Sequence, residues 1–117
     1  MNTVYESRFD KISGMIGKTP LLEIHFTYKG EPRRIFAKAE YFNLSGSIKD
    51  RVAFHIMKKA YEKGEIAPDD IIAEATSGNT GIGLAYVARE LGVKCVIVMP
   101  ESMSLERRQM IAKYGAE

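Results

Sequence analysis

Residues 94–99 read KCVIVM, a run apolar enough to be a strand buried on both faces. The segments around it alternate. Residues 71–75 (IIAEA) form a short apolar strand, and residues 79–91 carry a helix ended by Gly92. Residues 34–40 (RIFAKAE) read as an earlier strand, followed by a helix over residues 47–63. In that helix Ala53, Ile56, Met57 and Ala60 share one face, and Gly64 is the stop signal. A last helix spans residues 104–114, with Gly115 as its C-cap. Strand, helix, strand, helix, strand, helix is the pattern of a parallel sheet with right-handed crossovers. The expected class is therefore α/β, three-layered, with a mainly parallel sheet and helices on both faces. Ahead of this pattern, residues 7–16 read as a short helix and 21–26 as a strand, with a turn at YKGEP.

Composition narrows the function classes. The 117 residues suit one modest domain, and 45% hydrophobic with 27% charged residues supplies a core. The net charge of +2 comes from 17 basic and 15 acidic residues without a basic block, so no nucleic-acid partner is expected. No apolar run is long enough to span a bilayer, and the start, MNTVYESRFDK, has no hydrophobic segment of a secretion signal. The single cysteine, Cys95, excludes an internal disulfide framework and a cysteine-cluster metal site. Cys95 lies in the apolar strand and is expected to be inert core, while His25 and His55 are isolated. The expectations are a reducing, cytoplasmic setting, no membrane, no metal and a small-molecule partner.

In open α/β sheets, ligands bind beyond the carboxyl ends of the strands. The loops NLSGSIKD, TSGNTG and PESMS occupy that edge, and each runs into a helix N-terminus. In TSGNTGIG, Thr76, Ser77, Asn79 and Thr80 offer hydroxyl and amide groups, and Gly78 lets backbone approach a ligand. With the free N–H groups of the helix start they make an anion cradle sized for a carboxylate or phosphate. The glycines run G-x-x-G-x-G, which is neither a P-loop nor the dinucleotide fingerprint. A capped glycine-rich turn that serves only packing fits the same residues.

In NLSGSIKDR, Ser47 and Asp50 have the capping-box spacing. Lys49 then falls at the positive end of the helix dipole, where a cation is disfavoured. That setting favours the neutral, nucleophilic amine used by Schiff-base lysines. A solvated lysine bending away from the helix is the bland alternative. What separates them is an amine and an anion cradle on one edge, which amino-acid chemistry on a pyridoxal cofactor needs.

Four segments sharpen this: IGKTPL (16–21), AEYFNLSGSIKDR (39–51), EATSGNTGIGLA (74–85) and MPESMSLERRQMIAKYGAE (99–117). Together they resemble the fold type II pyridoxal-phosphate enzymes of the cysteine synthase (O-acetylserine sulfhydrylase) and cystathionine β-synthase family. The resemblance implies that Lys49 forms the imine with the cofactor and moves the substrate's α-proton. It implies that Asn79 hydrogen-bonds the cofactor's phenolic oxygen, and that Thr76, Ser77, Gly78 and Thr80 grip the substrate carboxylate. The implied reaction is β-replacement: an activated serine loses its β-substituent, and a thiol or sulfide adds. Cysteine synthase is the first reading; cystathionine β-synthase, or another enzyme with an amine or thiol nucleophile, is the alternative. Departures from the family pattern are Lys18 for asparagine, Ala75 for proline, and Leu44 and Ser45 for proline and glycine.

The family's chains continue further, into a second domain with the phosphate-gripping loop, so a partial fold lacking that C-terminal domain is expected. Residues 1–35 are expected to pack on it, and residues 36–117 to form the α/β domain with the lysine and the substrate loop. The chain alone is expected to hold pyridoxal phosphate poorly and to be inactive, or to act as a non-catalytic interaction module. Exposed apolar surface would favour a homodimer or other self-association.

Overall fold

The computed structural model describes residues 3–67, 69–76 and 78–117. Helix α1 (Thr3–Ser13) leads into strands β1 (Leu21–Tyr28) and β2 (Glu31–Lys38), then a 3₁₀ turn at Glu40–Phe42. There follow α2 (Lys49–Glu62), β3 (Ile71–Ala75), α3 (Asn79–Leu91), β4 (Lys94–Val98) and α4 (Leu105–Lys113).

The α/β character stands, but the strand expected at 34–40 lies elsewhere. It does not open the parallel sheet; β2 pairs antiparallel with β1, from Leu21 opposite Lys38 to Tyr28 opposite Glu31. The cause is the turn. Lys29 and Gly30 both have positive φ, 51° and 80°, the requirement of a two-residue type I′ hairpin loop. A two-residue loop permits only antiparallel pairing; a parallel neighbour needs a crossover of about a dozen residues. Pro32 sits in β2 opposite Thr27, tolerable because a two-stranded ribbon has only edges.

Parallel pairing belongs to β3 and β4, from Ile71 opposite Lys94 to Ala75 opposite Val98. Glu117 extends it on the other side of β4. Its N–H donates to the Cys95 carbonyl at 3.0 Å, and its own carbonyl accepts from the Ile97 N–H at 2.7 Å.

The core forms around α3, where Ile82, Leu84, Ala85, Val87, Ala88 and Leu91 are buried. Such an apolar helix is buried nearly all round. Ala53, Met57 and Tyr61 of α2 pack against it, as do Cys95 and Ile97 of β4 and Ile111 of α4. Helix α1 joins the same core, starting four residues and ending three residues earlier than the spacing predicts. Its Tyr5 stacks on Tyr61 at 4.9 Å, and its Phe9 meets Phe54 and Tyr61 edge-on at 5.8 and 5.5 Å. Residues 3–13 therefore share their core with the body expected at 36–117, and position 35 falls inside β2. Tyr61 is pushed up to about 12 by burial, and among the described residues its hydroxyl has no hydrogen-bond partner. Cys95 is buried as expected, and burial raises its thiol to about 11. A thiol so placed stays protonated and unreactive near neutral pH.

Candidate active site

Helix α2 begins at Lys49, one position later than a Ser47 N-cap predicts. Ser47 still caps in part, its Oγ accepting from the Lys49 N–H at 3.1 Å. The capping-box reading of Asp50 is corrected. Its carboxylate does not return to Ser47. It accepts from the Ser45 N–H at 2.5 Å and from the Ser45 hydroxyl. Asp50 is 1% exposed, so those two donors satisfy a charge that would otherwise be costly to bury.

The next residue, Arg51, turns to a different neighbour. Its Nε and Nη2 donate to both oxygens of Glu40, at 2.8 and 3.0 Å. The Thr19 hydroxyl donates to Glu40 at 2.6 Å and accepts from Arg51 at 3.2 Å. Asn43, itself buried, donates from Nδ2 to the Glu40 carboxylate at 2.7 Å and accepts from the Gly17 N–H at 2.7 Å. The guanidinium, then the Thr19 hydroxyl and the Asn43 amide, hold the Glu40 carboxyl down to about 2 against the opposing effect of burial. The same pair raises Arg51 above its ordinary value. This clasp ties the linker before β1 and the 3₁₀ turn to the first turn of α2. Sequence reading missed it because its members lie 21 to 32 positions apart around Thr19. The available signal was that Gly17 and Thr19 lie in one matched segment, and Glu40, Asn43 and Arg51 in another.

Between these anchors the Lys49 side chain is exposed and, among the described residues, makes no hydrogen bond or ion pair. Its backbone faces α3. A Cβ placed on Gly83 would come within 3.3 Å of the Lys49 carbonyl and 3.0 Å of Asp50 Oδ1. Glycine at 83 thus lets the first turns of α2 and α3 lie against each other.

The first turn of α3 is built from the second motif. Gly78 is its N-cap, its carbonyl accepting from the Gly81 and Ile82 N–H groups at 3.0 and 3.4 Å. Gly78 has no side chain to cap this end, and helix starts carry N–H groups without a partner inside the helix. Asn79 is exposed; Thr76 and Thr80 are half-buried. Thr76 leaves β3 with its N–H donating to the Val98 carbonyl at 3.0 Å, and its Oγ1 accepts a long 3.5 Å bond from the Gly78 N–H. Ser77 lies outside the described residues. Through Gly83, the start of α2 with Lys49 packs against α3, the helix that the loop of Thr76, Gly78, Asn79 and Thr80 opens.

Two grooves flank this edge. One of about 480 Å³ lies beyond the carboxyl ends of β3 and β4, lined by Ala75, Thr76, Val98, Met99 and Pro100. The other, about 380 Å³ and mainly apolar, runs between α2, α3 and β3, with Thr80 and Glu74 on its wall. Among the described residues no three His, Cys, Asp or Glu side chains cluster as metal ligands, and no helix is long and apolar enough to cross a membrane.

Comparison with known proteins decides the family. The family described as "Pyridoxal-phosphate dependent enzyme" matches residues 12–117. The chain belongs to this pyridoxal-phosphate-dependent enzyme family. It is 50% identical over 107 residues to cysteine synthase B of Campylobacter jejuni, covering 92% of this chain and 34% of that protein. A hydrogen sulfide-producing enzyme from Fusobacterium nucleatum superposes with a TM-score of 0.90 at 51% identity, over 96% of this chain and 34% of that one. An O-ureido-L-serine synthase gives 0.81 at 41% identity, over 91% and 33%. The chain thus spans about a third of the length of these relatives, and it is a partial fold type II α/β structure of the cysteine synthase family.

The residues present fit the family's cofactor in part. An exposed lysine amine at the start of α2, a helix whose backbone packs on α3 at Gly83, suits an aldehyde with nearby anionic groups.

Proposed function

We propose that this chain is the lysine-bearing part of a cysteine synthase, which makes L-cysteine from O-acetylserine and sulfide. The observation that carries this is the close approach of α3, at Gly83, to the Lys49 backbone at the start of α2. When bound, pyridoxal phosphate supplies an aldehyde for covalent attachment and an electron sink for the substrate's α-carbon. Lys49 Nζ would provide the amine that holds it and would take and return the substrate's α-proton. Asn79 would help hold the cofactor at its phenolic oxygen. Thr76, Ser77, Gly78 and Thr80 bind the substrate carboxylate with hydroxyls and the helix-start N–H groups, which favour an anion. They leave the β-carbon free for departure of acetate and addition of sulfide.

The similarity to an O-ureido-L-serine synthase favours a second reading within the same class, in which another nucleophile adds. Homocysteine, as in a cystathionine β-synthase, is the thiol version of it. The chain alone is proposed to be inactive and to self-associate through its exposed apolar hairpin. Both readings are tested by assaying the 117-residue chain beside a chimera that adds the remaining two thirds of the Campylobacter jejuni relative. Cysteine formation from O-acetylserine and sulfide by the chimera only is the expected result. Turnover by the chain alone would overturn its proposed inactivity. A chimera that ignores sulfide but uses homocysteine or another nucleophile would replace the first reading with the second.

A further inference from the structure

We propose that Asp50 and Arg51 are positioning residues for Lys49, fixing the lysine by pinning its two successors to different parts of the chain. This rests on the reading of Lys49 as the cofactor-binding amine. Consecutive residues of a helix point about 100° apart, so three in a row at its start face three directions. Here Asp50 is anchored to the NLSGS loop through the Ser45 N–H and hydroxyl. It also lies where Gly83 lets α3 come closest, 3.0 Å from that residue's would-be Cβ. Arg51 is anchored by its bidentate bond to Glu40, which Thr19 and Asn43 hold in place. The remaining direction is that of Lys49, whose ammonium makes no bond among the described residues.

Helix ends fray unless held, and an exposed lysine there would otherwise sample many positions. With both neighbours fixed, the start of α2 can rotate neither toward the loop nor toward the linker. The lysine's backbone then stays fixed against α3 at Gly83. Placement matters because a shift of about 1 Å at a reacting group can cost about a hundredfold in rate.

The test uses the whole 117-residue chain with pyridoxal phosphate and borohydride, which locks each lysine adduct as it forms. Peptide mass spectrometry then gives the labelling of Lys49 relative to Lys58 and Lys59 on the same helix and Lys63 at its end. The unsubstituted chain should label Lys49 in preference. Asp50→Asn and Arg51→Gln should each reduce that preference about tenfold or more, and Arg51→Lys should restore part of it. Circular dichroism melts report whether each variant is folded. Ser45→Ala and Thr19→Val remove one anchoring hydroxyl each and serve where the stronger variants do not fold; each should lower the preference less. Preference for Lys49 that persists unchanged in the folded variants overturns the proposal while leaving the reading of Lys49 intact. Absence of any preference in the unsubstituted chain also overturns the proposal, and the reading of Lys49 itself is then decided separately by the absorbance of the chimera against its Lys49→Ala variant.

Discussion

Along β1, Leu21, Leu22, Ile24, Phe26 and Tyr28 are all exposed, and on β2 Ile35 and Phe36 are 51% and 58% exposed. Along α3, Ile82, Leu84, Val87 and Leu91 are all buried, the last two completely. Both segments are apolar in sequence, and both are regular. They differ in having something to pack against. Helix α3 is enclosed by α1, α2, α4 and the β3–β4 pair. The hairpin is closed by its own backbone hydrogen bonds and its type I′ turn, with neither face covered. Apolar sequence therefore marks what can be buried, and enclosure decides what is. The chemistry sits where the enclosed body ends, at the starts of α2 and α3.

The contrast can be broken by substitution. Leu91→Ala should cost about 3 kcal/mol through lost burial and the cavity left behind. Phe36→Ala, an equal or larger truncation, should stay within about 0.5 kcal/mol. Urea unfolding of the two variants measures both; equal costs would mean that the hairpin is as enclosed as the core. At the junction of the two helices, Gly83→Ala should destabilise by about 1–3 kcal/mol, because backbone and a buried carboxylate stand where its methyl must go.

The clasp gives a pH test. Glu40 is held at about 2, below its ordinary 4.5. A depressed carboxyl contributes stability that is present above its unfolded value and lost as pH falls through the folded one. Thermal stability should therefore decline between about pH 4.5 and pH 2 from this residue. In Glu40→Gln that part of the decline should be absent; an identical acid profile would mean that the clasp does not carry it. The smallest effect is expected at Lys18, which adopts a φ of 49°. That left-handed region disfavours most side chains and tolerates asparagine, the residue usual at this point in the family pattern. Lys18→Asn should raise stability by about 0.5 kcal/mol, read as a small upward shift in melting temperature.

Much of this was legible in the sequence because it depends on local signals. Helix stops at Gly64 and Gly92, the apolar β4 and the loop that opens α3 are each written within a few residues. The two motifs also marked the starts of α2 and α3. Two features were not legible. Pairing of β2 follows from the backbone angles of Lys29 and Gly30, and a turn signal alone does not fix a strand's partner. The roles of Asp50 and Arg51 depend on groups brought together by folding, from Thr19 and Glu40 to Gly83. Asp50 fitted a capping box by spacing, yet the Ser45 donors claimed its carboxylate.

The central claim is that Lys49 is the residue that carries pyridoxal phosphate. Its most direct measurement is the visible absorbance of the chimera with the cofactor added, compared with the same protein carrying Lys49→Ala. A band in the chimera that is absent from the variant is the predicted result. A band that persists in Lys49→Ala would contradict it.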